Sequence, residues 1–347
     1  MVPDFEVKAG DRWFHQCVGI DIAKEKFDAC LFMYDTGSDM GCCTQSVQFP
    51  NNKTGFNQLV KWSRKEALKD FPLTFLMEPT GVYYEPVAYH LHKLGMTVYV
   101  VLPNKARHFA EYLGIKTKTD EMDARCLALL GCANQRLQPW TPPVPIYREL
   151  RQLCRFAADM GKLRTMLNNH LEALQHSECP EPSVVKHYKS MIDVVDRKLE
   201  KNEEAILSKV DSDKNLAEKV KRIATIKGVG IQTIVTVIAE TNGFALIHNR
   251  KQLTSYAGLD VIASQSGDKD PKHKISKKGN SRIRAALYMP AITAIRWNPQ
   301  IHEAYGRIVE KNPGVKMIGV AAAMRRLLLL IYSLWNNNET YDPNRKQ

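Results

Sequence analysis

The eight cysteines, at positions 17, 30, 42, 43, 126, 132, 154 and 179, include no C-x-x-C pair. Neither a zinc site nor a disulfide framework is suggested, and the pattern reads as reduced cytosolic thiols. An N-terminal apolar run is lacking too: MVPDFEVKAGD carries three acids where a secretory leader carries its hydrophobic segment. The longest apolar tract, Ile318 to Trp335, is split by Arg325 and Arg326, so it reads as a buried helix and no membrane insertion is expected. There is no G-x-x-x-x-G-K-[ST] or repeated-glycine phosphate loop, which sets aside a sugar-kinase or actin-like ATPase even though GIDIA is a strand of the kind such enzymes begin with. Acid is the charge in short supply, with 49 Lys and Arg against 37 Asp and Glu and a formal net charge of +12. That excess points to a polyanionic partner, because cations that neutralise phosphates release condensed counterions. A generally basic, soluble surface is the plainer alternative.

Apolar material is plentiful, at 44% of 347 residues, enough for two domains and a connector. CVGIDIA (17–23) and FDACLFM (27–33) read as strands about a charged turn, with SVQF (46–49) as a third. A helix near Thr54 to Leu68, a strand LTFLM (73–77), a helix near Tyr84 to Leu94 and a strand TVYVVL (97–102) follow. Three antiparallel strands and then β-α-β units predict an α/β domain over 13–137, a mixed sheet with flanking helices. QPWTPPVP (138–145) has four prolines in eight residues and marks a boundary. Beyond it Leu150, Leu153, Ala157, Met160, Leu167, Leu171 and Leu174 keep a 3-4 heptad spacing that Arg164 interrupts, and a second helical run covers about 184–210. This predicts a helical, coiled-coil-like middle over 146–212, serving as a helical hairpin, an oligomerisation arm or a plain intramolecular bundle.

The remainder, 215–337, is expected to be mainly α. In KRIATIKGVGIQTIVTVIAE (221–240) two helical patterns meet at a tight turn around Gly228 and Gly230, which reads as a helix-hairpin-helix able to offer amides to a phosphate. An ordinary glycine-linked helix pair explains the same residues. Next comes a polar loop opening into a helix (263–290), where Lys272, Lys274, Lys277, Lys278, Arg282 and Arg284 would form a phosphate-contacting strip or simply a solvated basic loop.

Carboxylates carry the sharpest signal. Asp21 ends one apolar strand and Glu78 directly follows another. Asp120 and Asp123, three apart where KTKTDEMDARCLALL begins a helix, share one face. Singly, each has a plain explanation: a helix N-cap for Asp120, a dipole partner for Asp123, a turn closure for Asp21. Together they are oxygen-only ligands suited to Mg²⁺ or Mn²⁺, and the chemistry they imply is phosphoryl transfer. An Asp on the first strand of a meander, a Glu after the fourth strand and a late helical Asp pair fit a ribonuclease-H-like fold.

VGIDIAKEKFDA, MEPTGVYYEPVA, KTKTDEMDARCLA, IKGVG, SYAGLD, QSG and ALYMPA resemble, in this order, the DEDD insertion-sequence transposases related to the Piv invertase, a family that includes the bridge-RNA-guided recombinases. The resemblance runs from about residue 17 to 335 and implies a RuvC-like catalytic domain and a C-terminal transposase domain. It assigns Asp21, Glu78, Asp120 and Asp123 to the metal site and puts Ser266 of QSG where the family carries a nucleophile that forms a phosphoserine ester. By itself, a Ser before Gly in a polar loop is a turn residue. The resemblance further implies DNA as substrate, a non-coding guide RNA, a homodimer or homotetramer in which two subunits complete a centre, and a bacterial or archaeal cytoplasmic, nucleoid-associated location. A Piv-like invertase without guide RNA, a RuvC-like nuclease using water and a non-catalytic nucleic-acid scaffold are the competing readings. The long segment YDTGSDMGCC (34–43), and Asp260 and Val261 where a proline often follows the AGL motif, depart from the family pattern.

Overall fold

The computed structural model describes residues 8–9, 12–35, 37, 40–115, 119–134, 137–245, 247–264, 272–337 and 339–343. The chain divides into two compact units, 1–142 and 143–347, and the break falls among the prolines of QPWTPPVP.

The first unit is built on a mixed sheet. Its elements are β1 (Lys8–Ala9), β2 (Arg12–Ile22), β3 (Lys26–Asp35), β4 (Met40–Cys43), β5 (Val47–Pro50), α1 (Lys53–Glu66), β6 (Leu73–Met77), α2 (Glu85–Lys93), β7 (Thr97–Val100), α3 (Pro103–Tyr112) and α4 (Asp120–Ala133). The main path runs β4-β3-β2-β6-β7. β2 and β3 pair antiparallel, whereas β2, β6 and β7 are parallel. β4 and β5 both pair with β3, one along its second half and one along its first. The mixed sheet and flanking helices expected from the alternation are therefore present, with β1, β4 and α3 in addition. β4 lies in YDTGSDMGCC, which the sequence reading treats as a loop.

Period-two alternation sorts the strand residues to two faces. Val18, Ile20, Phe75, Met77 and Val98 pack with Phe56, Leu59, Val87 and Leu91 of α1 and α2. Cys17, Leu76 and Tyr99 pack with Ala106, Leu127, Ala128 and Leu130 of α3 and α4. On that second face β2 and α4 touch backbone to backbone. A Cβ on Gly19 would lie 2.1 Å from the Ala124 carbonyl oxygen and 2.2 Å from the Ala128 nitrogen. Lower down, a Cβ on Gly131 would lie 2.2 Å from Cys17 Sγ.

The second unit is mainly helical: α5 (Pro145–Gln175), α6 (Pro182–Asp211), α7 (Lys214–Ile223), α8 (Ile231–Glu240), α9 (Arg250–Tyr256), the hairpin β8 (Val261–Ser264) with β9 (Lys272–Ile275), then α10 (Ser281–Trp297), α11 (Pro299–Lys311) and α12 (Lys316–Asn336). α5 and α6 form an antiparallel hairpin. Glu149 pairs with Lys209 at its base, the Leu153 carbonyl accepts from Asn202 Nδ2 (3.1 Å), and His170 meets Tyr188 at 3.4 Å further out. Arg164 interrupts the heptad seam because it reaches Asp196 of α6 with two contacts, 2.5 and 3.4 Å. Leu150 and Cys154 join the main core of this unit, while Leu167, Ile192 and Val195 form a small separate cluster. α12 is the one helix among the described residues long and apolar enough to cross a membrane, but Leu327, Leu328 and Ile331 are fully buried in the unit's core.

The Gly19 contact yields a stability prediction. Gly19→Ala should cost about 3 kcal/mol or more, because backbone on the α4 side cannot yield as a side-chain tip can. Gly161→Ala, mid-helix in α5 with nothing within 4 Å of the added methyl, should instead stabilise by roughly 0.5–1 kcal/mol. Denaturant unfolding of both variants checks the pair.

Candidate active site

The β2–α4 contact builds the acidic site. Cys17, Gly19 and Asp21 point to the α4 side of β2, and their neighbours run back along the helix from Gly131 through Ala128 and Ala124 to the Asp120–Asp123 turn. Glu78 arrives by the same alternation from β6. Ile20 and Met77 are register partners on parallel strands, so Asp21 and Glu78 come next, side by side at the strands' carboxyl ends. α4 opens on Thr119, whose hydroxyl accepts from the Met122 amide (3.3 Å). The cap is thus Thr119 rather than Asp120.

Asp21, Glu78 and Asp123 line one cavity with Pro103, Ala106, Arg107, Ala110 and Glu111 of α3, and with Ile115, Cys126 and Leu127. Asp120 lies outside this lining, exposed, with Lys26 Nζ 4.0 Å from its carboxylate. Its charge still reaches the cavity. The Asp21 carboxyl is raised to about 6, first by burial, then by the charges of Asp123, Asp120 and Glu78, and last by Asp28, its cross-strand partner. Asp28, which the sequence reading passed over, accepts hydrogen bonds from Gln48 Nε2 at 3.3 and 3.4 Å.

The donor set fits a hard divalent cation. Every acid that acts on Asp21 offers oxygen. Cys126, the one sulfur among the described lining residues, has its thiol pushed up to about 11 by burial and by Asp123. Among the described residues no three His, Cys, Asp or Glu stand within joint ligating reach.

The second unit separates the basic candidates. Lys274, Lys277 and Lys278 are exposed. Arg282 lies 3.7 Å from Asp159 of α5. Arg284 is tied inward, donating from one guanidinium nitrogen to the Ala257 (2.9 Å) and Gly279 (3.1 Å) carbonyls. Lys272 opens β9, while Ser266 lies outside the described residues. α7 and α8 are joined by a turn in which Gly228 takes φ +92°, and a Cβ there would stand 2.9 Å from the Ala294 nitrogen of α10. Gly230 precedes α8 without a side-chain cap, and nothing lies within 4 Å of its Cβ position. Nearby, Glu240 is buried and held by Arg155 Nε (2.7 Å), Arg155 Nη2 (3.0 Å) and Asn280 Nδ2 (2.8 Å). Burial alone would raise its carboxyl, but these hydrogen bonds and the charges of Arg155 and Arg151 outweigh that and hold it below the usual range. Asn280 in turn caps α10, accepting from the Arg282 and Ile283 amides.

Residues 18–180 match a DEDD family described as "Transposase" (IS110 type), and 220–306 match the "Transposase IS116/IS110/IS902 family". The pilin gene-inverting proteins of Moraxella bovis and Moraxella lacunata are each 30% identical over 336 residues, covering 94% of this chain and 97% of theirs. A transposase for insertion sequence element IS1111A from Coxiella burnetii is 33% identical over 79 residues, 23% of this chain and 22% of its own. The chain belongs to the IS116/IS110/IS902 transposase family. Members of this transposase family cleave and rejoin DNA strands, and the DEDD type generally depends on divalent metal. Membership of this family implies DNA as a partner.

Arg107 and Glu111 are cavity residues that sequence reasoning missed. Their helix was not anticipated, although Pro at its first position and the Ala106/Ala110 spacing in PNKARHFAEY signal one. The Asp21 environment makes a prediction whose sign follows from linkage. A carboxyl raised in the fold contributes stability below its unfolded pKa near 3.8 and loses that contribution as pH rises through about 6. Asp21→Asn should therefore stabilise the protein by about 1 kcal/mol at pH 8, a figure discounted for solvent screening, and by almost nothing at pH 4. Urea melts at the two pH values read it.

Proposed function

We propose that the chain is a DNA transposase or site-specific recombinase that cuts and reseals strands through a serine ester, with Asp21, Glu78, Asp120 and Asp123 as its metal site. The carrying observation is the cavity that Asp21, Glu78 and Asp123 share, where acids from three separate stretches of chain converge. Carboxylate donors favour Mg²⁺, with Mn²⁺ as a substitute. A divalent ion held there would polarise a phosphodiester and stabilise the departing oxygen. Ser266 is the proposed nucleophile: its Oγ bonds to phosphorus, the P–O3′ bond breaks, and a free 3′-hydroxyl is left after proton transfer. Rejoining is the reverse, attack by a 3′-hydroxyl on the phosphoserine. Because the ester retains the energy of the broken bond, no ATP is needed.

In this reading 13–137 is the RuvC-like catalytic domain, 146–212 the coiled-coil-like connector and 215–337 the domain bearing the nucleophile. Lys272, Lys274, Lys277, Lys278 and Arg282 steady the DNA backbone. Gly228 and Gly230, as a helix-hairpin-helix turn, add amide contacts, and Arg284 supports the strip through its bonds to Ala257 and Gly279. A bridge RNA chooses the sites by base pairing, and a homodimer or homotetramer completes the centre. The similarity to the pilin gene-inverting proteins over nearly the whole chain favours a second reading, a DNA invertase; in that reading the protein itself, rather than an RNA, finds the sites.

Ser266→Ala should abolish the denaturant-resistant DNA adduct, a loss of about 10³-fold or more, while DNA binding persists. Asp21→Ala should lose the adduct and also the rise in melting temperature on adding Mg²⁺. Undiminished strand cleavage by Ser266→Ala would sink the serine mechanism in favour of a water-using nuclease. Sequencing the nucleic acid that purifies with the chain separates the two readings: a discrete RNA encoded beside its gene supports guidance, and its absence supports inversion. The same step recovers the DNA junction.

A further inference from the structure

One wall of the acidic cavity comes from α3. Pro103, Ala106, Arg107, Ala110 and Glu111 follow i, i+3, i+4, i+7, i+8 and form a single stripe facing the carboxylates. Small side chains on that stripe leave space. The cavity encloses about 330 Å³, near the lower end of ligand pockets at roughly 300 Å³, which suits one phosphodiester group and its sugar better than a duplex.

Arg107 is the one cation among the described lining residues. Its Nε lies 3.5 Å from Glu111 Oε1 one turn on, and both side chains are exposed, so little energy holds the pair. Glu111 has another partner in His108, whose Nδ1 is 3.0 Å from Oε2. Arg107 can therefore leave without stranding the glutamate. A phosphodiester entering this cavity meets carboxylates on its other walls, and negative charge builds further on its non-bridging oxygens during in-line attack. A guanidinium answers that need: it stays charged at any working pH and presents parallel N–H donors matched to a phosphate.

We propose that Arg107 is a catalytic residue, its guanidinium swinging from Glu111 to grip the non-bridging oxygens of the scissile phosphate. The inference rests on the acid cavity being the site of strand cleavage. The test uses the full chain together with any RNA that purifies with it, Mg²⁺ and a duplex spanning the recovered junction, made with ordinary phosphate or with a charge-neutral methylphosphonate at the scissile position. Arg107→Ala should slow adduct formation about 100-fold on phosphate and Arg107→Lys about 10-fold. The Mg²⁺-dependent rise in melting temperature should persist in both. On the methylphosphonate, where there is no charge to neutralise, the gap between wild type and Arg107→Ala should shrink to within about threefold. A wild-type rate in Arg107→Ala overturns the proposal, and so does a gap of equal size on both substrates, which would mark a merely structural role. Should the alanine variant fail to fold, Arg107→Lys and Arg107→Gln carry the same comparison. Undiminished cleavage by Asp21→Ala overturns the underlying reading of the cavity instead, so the two failures are told apart.

Discussion

A strand and a helix in backbone contact determine where the acids of the first unit stand. With no side chain at Gly19, α4 comes down until Ala124 and Ala128 rest on β2. Two residues along the strand is Asp21, and one residue before Ala124 is Asp123. Moving the helix out by the thickness of a methyl group would part those carboxylates as well as open the core, so stability and site geometry depend on the same contact. Burial of the carboxylate, and after it repulsion from the neighbouring acids, is the cost of this arrangement, visible in the raised Asp21 carboxyl. Folded proteins tolerate such strain where function repays it elsewhere.

Much of the first unit was legible because β-strand alternation is a strong local signal. CVGIDIA carries Asp21 near its end and LTFLM is followed directly by Glu78, and both became neighbouring parallel strands with those acids side by side. What escaped was decided by tertiary contact. β4 holds Gly41 within MGCC and shows no clear alternation, and only its pairing with β3 makes it a strand. β9 and the last two residues of β8 read as polar loop for a similar reason: KHKI, a four-residue strand, has too few apolar positions to reveal a period. Which acids share a cavity was also beyond sequence spacing. Asp120 and Asp123 sit on one helical face, yet only Asp123 lines the cavity among the described residues, and Arg107 joins it from α3, whose Pro103 start and Ala106/Ala110 spacing signal a helix but not that it borders the acids.

In the second unit, residues of identical charge have come to do different things. Lys277 and Lys278 are open to solvent, whereas Arg284, a few residues on, is spent on two backbone carbonyls. Composition cannot separate them, since the distinction lies in which carbonyls the fold leaves within reach. Glu240 shows the converse. An acid in an apolar helix looks misplaced in IQTIVTVIAE, but it draws Arg155 and Asn280 together and so joins α5 and the cap of α10 to α8. A buried charge of this kind is costly unless fully satisfied, and here three hydrogen bonds satisfy it.

The α5–α6 hairpin enters and leaves the second unit at one place, with Glu149 and Lys209 at its foot. At about 1.5 Å per residue its helices extend roughly 45 Å. Only the foot shares the unit's main core; further out, Leu167, Ile192 and Val195 make a core of their own. Such an element is modular. Whole turns can be added or removed in matched amounts on both helices while the residues at the foot keep their neighbours, so its reach can change through simple insertions and deletions, independently of the chemistry performed elsewhere in the chain.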